Sequence, residues 1–201
     1  MEYTRALDQI SEIHGHLAKG EIYRGYQPAP VAVTGLCGLA GILLQPRLVA
    51  PGDGPGYVIF WVSLAVISGV ICGSAITWNF LLRDDAFGRR KTLKVVGQLL
   101  PCLAAGCAVT GILALALPEQ IALLPGLWAV LFSLGIFASR PYLPRAIGWV
   151  ALFYLAAGAA MLLLARGEVS LHSWGTGLTF GTGQLAAATV LWTNKERKDN
   201  G

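Results

Sequence analysis

The sequence predicts an all-α polytopic membrane protein: six transmembrane helices in a bundle, preceded by a cytoplasmic amphipathic helix. Three observations predict it. Hydrophobic residues make up 55% of the chain and charged residues only 13%, which is too apolar for an ordinary soluble domain. Uncharged apolar runs recur, the longest covering residues 57–82, more than the roughly 20 residues that cross a bilayer as a helix. Lys and Arg collect beside the ends of alternate runs, the mark of loops that are not translocated.

Taken in order, residues 1–29 form a cytoplasmic or interfacial segment. It is polar, contains acids and lacks the apolar stretch of a secretory signal. Leu7, Ile10, Ile13 and Leu17 recur at helical spacing while Asp8, Ser11 and Glu12 fall on other faces, so an amphipathic helix is expected from Thr4 to about Lys19, stopped by Gly20. Its apolar face suits either the headgroup layer or a partner protein, and Leu7, Ile10, Ile13 and Leu17 are the candidate docking residues. Tyr23, Arg24, Tyr26 and two prolines then lead into the membrane.

Residues 30–193 form the transmembrane domain, with spans expected at 31–49, 57–82, 95–117, 121–138, 147–165 and 171–192. Pro46, the PGDGPG of residues 51–56 and Pro118 punctuate connections, whereas Pro101 falls inside the third span and is expected to bend it. Trp61, Trp78, Trp174 and Trp192 lie near span ends and read as interfacial anchors. Residues 194–201 are a cytoplasmic tail. Assigning connections alternately inside and outside places 13 of the 15 Lys and Arg on one face, so both termini are expected in the cytoplasm and anionic lipid is the expected partner of those loops. The basic residues flank spans instead of forming a stripe on a soluble module, which argues against nucleic acid.

Small residues indicate where helices approach closely. Ala65, Gly69, Gly73 and Thr77 recur every fourth residue in the second span, and Gly175, Thr179, Gly183 and Ala187 do so in the sixth. Those two spans are the expected packing centre. Sliding the chain by 114 positions superposes Gly69 on Gly183, Trp78 on Trp192 and Arg83 on Arg197. Duplication of a hairpin and the common demands on inward-ending helices both account for that match.

Sites of chemistry are scarce. No catalytic, cofactor or metal motif stands out. Cys37, Cys72, Cys102 and Cys107 all lie in apolar runs, where cysteine acts as a small hydrophobe. His14 and His16 are assigned to the inside and His172 to the outer mouth of the sixth span, so the three cannot share a metal. Asp84 and Asp85 could hold Mg²⁺ and a lipid diphosphate, but Arg83, Arg89, Arg90 and Lys91 surround them, and a neutralised surface loop is the simpler reading. The spans lack Asp, Glu, Lys and Arg between their ends, which disfavours a proton relay. Asn79, Gln98 and Gln184 are the polar groups left at membrane depth. They suit interhelical hydrogen bonds or a polar cavity for a neutral solute.

The lead IHGHLAKGEIYRGYQP, the turn GIFASRPYLPRAIGWVALFY and the ending TFGTGQLAAATVLW resemble an uncharacterised family of small bacterial six-span membrane proteins along nearly the whole chain. The resemblance implies the six-helix bundle and a bacterial inner-membrane location, and brings no activity. A cytoplasmic segment followed by six spans is also similar in outline to membrane-bound anti-sigma factors, though no diagnostic motif matches. Two functions are therefore expected to compete: a non-catalytic membrane subunit or regulator that docks a partner through its N-terminal helix, and a small transporter or permease for a neutral or lipid-like solute.

Overall fold

A computed structural model of the chain describes residues 27–82, 86–165 and 172–199. Within them there are six long helices and no strand. We number them α1 (Pro28–Leu48), α2 (Gly54–Leu82), α3 (Ala86–Ala116), α4 (Leu124–Ser139), α5 (Ile147–Leu164) and α6 (Ser173–Asp199), with a 3₁₀ turn at Pro118–Leu123 leading into α4. The amphipathic N-terminal helix expected over 4–19 and the acids Asp84 and Asp85 lie outside the described residues.

Five segments are long and apolar enough to cross a membrane: Pro28–Leu48, Gly54–Leu82, Thr92–Ala116, Pro118–Tyr142 and Ile147–Leu164. They make the chain compatible with a multi-pass membrane protein. α6 has the length, at 27 residues, but Gly175, Thr176, Gly177, Thr179, Gly181, Thr182, Gly183 and Gln184 crowd its first half and charges its last turns. Short side chains and hydroxyls contribute little hydrophobic transfer energy, so this helix does not reach the apolarity of the other five.

Local chemistry explains several boundaries. Gly52 takes φ +78°, a turn conformation that glycine enters without steric penalty. The carboxylate of Asp53 then accepts a hydrogen bond from the Gly56 N–H at 2.9 Å, starting α2 with an N-cap. At the other end of α2 the sequence suggests a loop reaching to residue 94, but α3 is already helical at Ala86. Arg89 links the two helix ends. Its guanidinium donates to the carbonyls of Phe80 (3.0 Å) and Leu81 (3.4 Å) and sits 5.4 Å from the Phe80 ring centroid, satisfying acceptors that the end of α2 leaves free. α3 also runs through Pro101 as one helical element.

Contacts fix the arrangement. Gln45 meets Trp61 while Gln27 meets Asn79, so α1 and α2 are antiparallel. Gly35 lies against Leu185, Gly38 against Gly181 and Gly177 against Ile42, so α1 and α6 are antiparallel too. The same reasoning pairs α6 with α5 through Gly183 and Tyr154, then Gly175 and Met161. α5 pairs with α4 through Gly158 and Gly126, and α4 with α3 through Gly135 against Leu99 and Cys102. The helices therefore stand in the order α2, α1, α6, α5, α4, α3, alternating in direction. Val58 of α2, Leu113 of α3, Ile121 and Leu124 form one buried cluster that brings the two outermost helices together at one end. A second cluster centres on Tyr154, with Ala129, Ile147 and Val150. A third joins Val31 to Ala188 and Leu191, with Cys72 of α2 packed on it.

Candidate functional site: packing faces and buried polar groups

The most extensive interface is that of α1 with α6, and glycine makes it. A Cβ added at Gly38 would lie 3.0 Å from the Gly181 nitrogen and 3.1 Å from its Cα, and one at Gly35 would lie 3.0 Å from the Gly181 carbonyl oxygen. One at Gly181 would meet Leu39 Cδ2 at 2.6 Å. The backbones touch here with no room for a methyl group, which is the close approach that small residues permit in membranes.

The sixth-span stripe predicted from sequence occupies the neighbouring face of α6. Gly175 lies against Met161, the Thr179 hydroxyl is 3.9 Å from Met161 Sδ, Gly183 abuts the Tyr154 ring, and Ala187 packs on the Tyr154 cluster. All four face α5. The stripe predicted in the second span is placed differently: Ala65, Gly69 and Thr77 are exposed, and a Cβ at Gly69 or Gly73 would meet nothing within 4 Å. α2 has few buried residues, namely Gly54, Tyr57, Val58, Trp61 and Asn79, and lies at the edge of the bundle. The packing centre is thus α6 with α1, not α6 with α2. Gly35, Gly38 and Gly41 of α1 recur every third residue, and a search for fourfold spacing passes over them.

Buried polar groups sit mostly at helix–helix contacts. Near the α1–α2 turn, Trp61 Nε1 donates to Gln45 Oε1 at 2.8 Å and the Tyr57 hydroxyl pairs with Thr176, so two hydrogen bonds tie α2 to α1 and to α6. The sequence places Trp61 at the interface as an anchor, but it is 5% exposed: the small Gly41 beside it leaves space for the indole, and Gln45 satisfies its N–H. Trp78, Trp174 and Trp192 are exposed. Ser133 donates across to the Ala151 carbonyl at 2.8 Å, and Trp128 Nε1 to Thr110 at 2.8 Å.

The three candidate cavity residues are not joined by any hydrogen bond to one another. Asn79 is 5% exposed, with Oδ1 accepting from Gln27 Nε2 at 3.1 Å and Nδ2 donating to the Ala75 carbonyl at 3.0 Å. Gln184 is half-buried on α6, and Gln98 on α3 has a buried Oε1. The docking candidates Leu7, Ile10, Ile13 and Leu17 lie outside the described residues. Among the described residues no group of three or more His, Cys, Asp and Glu is placed to hold a metal ion. Arg89, Arg90, Lys94, Arg140 and Arg145 are all exposed, and the alternation of helices puts them at one end of the bundle. No protein-family model, curated protein or solved structure matches this chain.

Proposed function

We propose that this chain is a non-catalytic membrane subunit or regulator, a six-span bundle with both termini in the cytoplasm that holds a partner protein through Leu7, Ile10, Ile13 and Leu17. In this reading α6 is the sixth span. Its polar composition is tolerated because α1 and α5 cover its glycines and Thr179, leaving the bilayer a narrower face to solvate. The exposed arginines and Lys94 at one end are the cytoplasmic face, where anionic lipid meets them.

The observation that carries the reading is the state of Asn79. Both ends of its carboxamide are engaged, and one partner is Gln27, the residue immediately before α1. A residue held that way braces the entry of the N-terminal segment against α2 and is not available to line a solute path. Deleting residues 1–19 should leave the protein inserted, because the spans carry their own insertion and orientation signals. Replacing Ile10 and Leu17 together with Asp should abolish recovery of a partner in mild detergent, since burying each aliphatic side chain is worth about 1.5–3 kcal/mol. Destabilisation of the purified bundle by the same double change, with normal partner recovery, would mean instead that the helix packs on its own loops. Uptake of a neutral solute by proteoliposomes, abolished by Asn79→Leu, would shift the assignment to a permease. Impermeant labelling of Lys198→Cys from the periplasmic side of intact cells would reverse the orientation.

A further inference from the structure

Two buried side-chain atoms stand apart from the polar groups described so far. Ser139 is 3% exposed, and its Oγ has no hydrogen-bond partner. Gln98 Oε1 is likewise buried and without one. Elsewhere the hydroxyls of membrane-depth residues find carbonyls: Thr110, Thr182 and Thr189 each donate to the residue four positions back, and Ser133 donates across to α5. Ser139, at the end of α4, does neither.

Helix register assigns the two atoms to one layer of the α3–α4 interface. Gly135 of α4 lies against Leu99 and Cys102 of α3. The helices are antiparallel, so Ser139, one turn further along α4, comes level with the turn of α3 that holds Val95 and Gln98. Val95 is 1% exposed and Ser139 3%, so the two helices close over this layer, although Lys94 and Arg140 beside it are exposed. A buried polar atom without a partner bears the cost of its lost hydration unrelieved.

The chemistry of the pair selects its ligand. Gln98 Oε1 only accepts; Ser139 Oγ donates one hydrogen bond and accepts others. A cation would need about six oxygens or more, and the neighbours Val95, Leu99, Cys102 and Gly135 supply no further oxygen side chain. A side chain from another protein cannot reach atoms this deeply enclosed. A water molecule meets both needs at once, donating to Oε1 and accepting from Oγ–H. We infer that one structural water binds between Gln98 and Ser139 and joins α3 to α4. It fastens that end of the pair as the Trp128–Thr110 hydrogen bond fastens the other.

The sign of a stability change tests this. With the water in place, Ser139→Ala and Gln98→Met each lower Tm in lipid nanodiscs by roughly 2–4 °C, the shift that about 1 kcal/mol produces in a chain of this size. The double variant then falls no further than the worse single variant, because either change already empties the bridge. Density at a resolution that shows waters, collected on the unaltered protein, places a peak within hydrogen-bond distance of both atoms. A rise in Tm for either single variant would mean the atom was uncompensated and overturns the inference, as would strictly additive losses or a direct Oγ–Oε1 contact in the density.

Discussion

Two stripes of small residues in this chain have similar composition and opposite surroundings. On α6, Gly175, Thr179, Gly183 and Ala187 run along Met161 and Tyr154 of α5; on α2, Ala65 and Gly69 are exposed and Gly73 faces open space. Spacing along one helix shows that a partner backbone can approach. Whether one does depends on what stands opposite. The tight interfaces here are those in which both helices contribute glycine: Gly35 and Gly38 meet Gly181, and Gly126 and Gly158 each point a would-be Cβ at the other's carbonyl oxygen, at 2.8 and 2.9 Å. α2 instead packs on α1 through larger side chains such as Trp61 and Leu64, which fill the space beside Gly41.

Substitutions can break or sharpen that contrast, the damaging ones ordered by expected size. Gly181→Leu should be the most damaging, because its first added carbon already overlaps the Leu39 side chain and comes within 3.1 Å of the Leu39 backbone nitrogen, leaving the rest of the side chain no space against α1. We expect a loss at the upper end of the about 1–3 kcal/mol typical of overpacking, read as thermal unfolding in detergent. Gly73→Leu under the same conditions should be nearly silent, and equal losses from the two would abolish the distinction between the stripes. Next comes Gly183→Ala, which pushes on the Tyr154 ring and on its hydrogen bond to the Phe180 carbonyl. A loss of about 1–2 kcal/mol is expected, and pairing it with Tyr154→Leu should restore part of it if the ring is what the methyl meets. Smaller again is Trp61→Phe, which keeps most of the buried ring but removes the bond to Gln45 at a cost of about 0.5–1.5 kcal/mol. Trp78→Phe, on an exposed indole, should change stability by less than about 0.5 kcal/mol.

Hydropathy made most of the architecture legible before any coordinates. Runs of Leu, Ile, Val and Ala located four of the six helices to within three residues at both ends, since in lipid only a helix satisfies its own backbone. The ends were less legible. α3 begins at Ala86 and not at residue 95, because AFGRRKTLK contains no proline and Arg89 reaches back to cap α2. The polarity of a segment and its helicity are separate properties, and the sequence pattern reports the first more clearly. The packing partners were least legible. The threefold spacing of Gly35, Gly38 and Gly41 was available as a signal, yet nothing local says that α1 faces α6. Nor does the sequence distinguish a buried Trp61 from an exposed Trp78 in the same helix; that depends on Gly41 and Gln45, which belong to α1.

The pairing of α1 with α6 also constrains how the protein is made. α1 leaves the ribosome well before Gly177 and Gly181 do. At roughly 5–20 residues per second, the glycine face of α1 waits on the order of ten seconds or more for the helix that covers it. In the proposed six-span reading, α6 is the helix least able to partition into lipid by its own hydrophobicity, so its insertion is favoured when α1 and α5 are already in place to receive it. Biogenesis should therefore have a late, cooperative closing step. Truncation before residue 173 should leave an inserted but protease-sensitive intermediate, and this is the stage at which an insertase or membrane chaperone would have the most surface to hold.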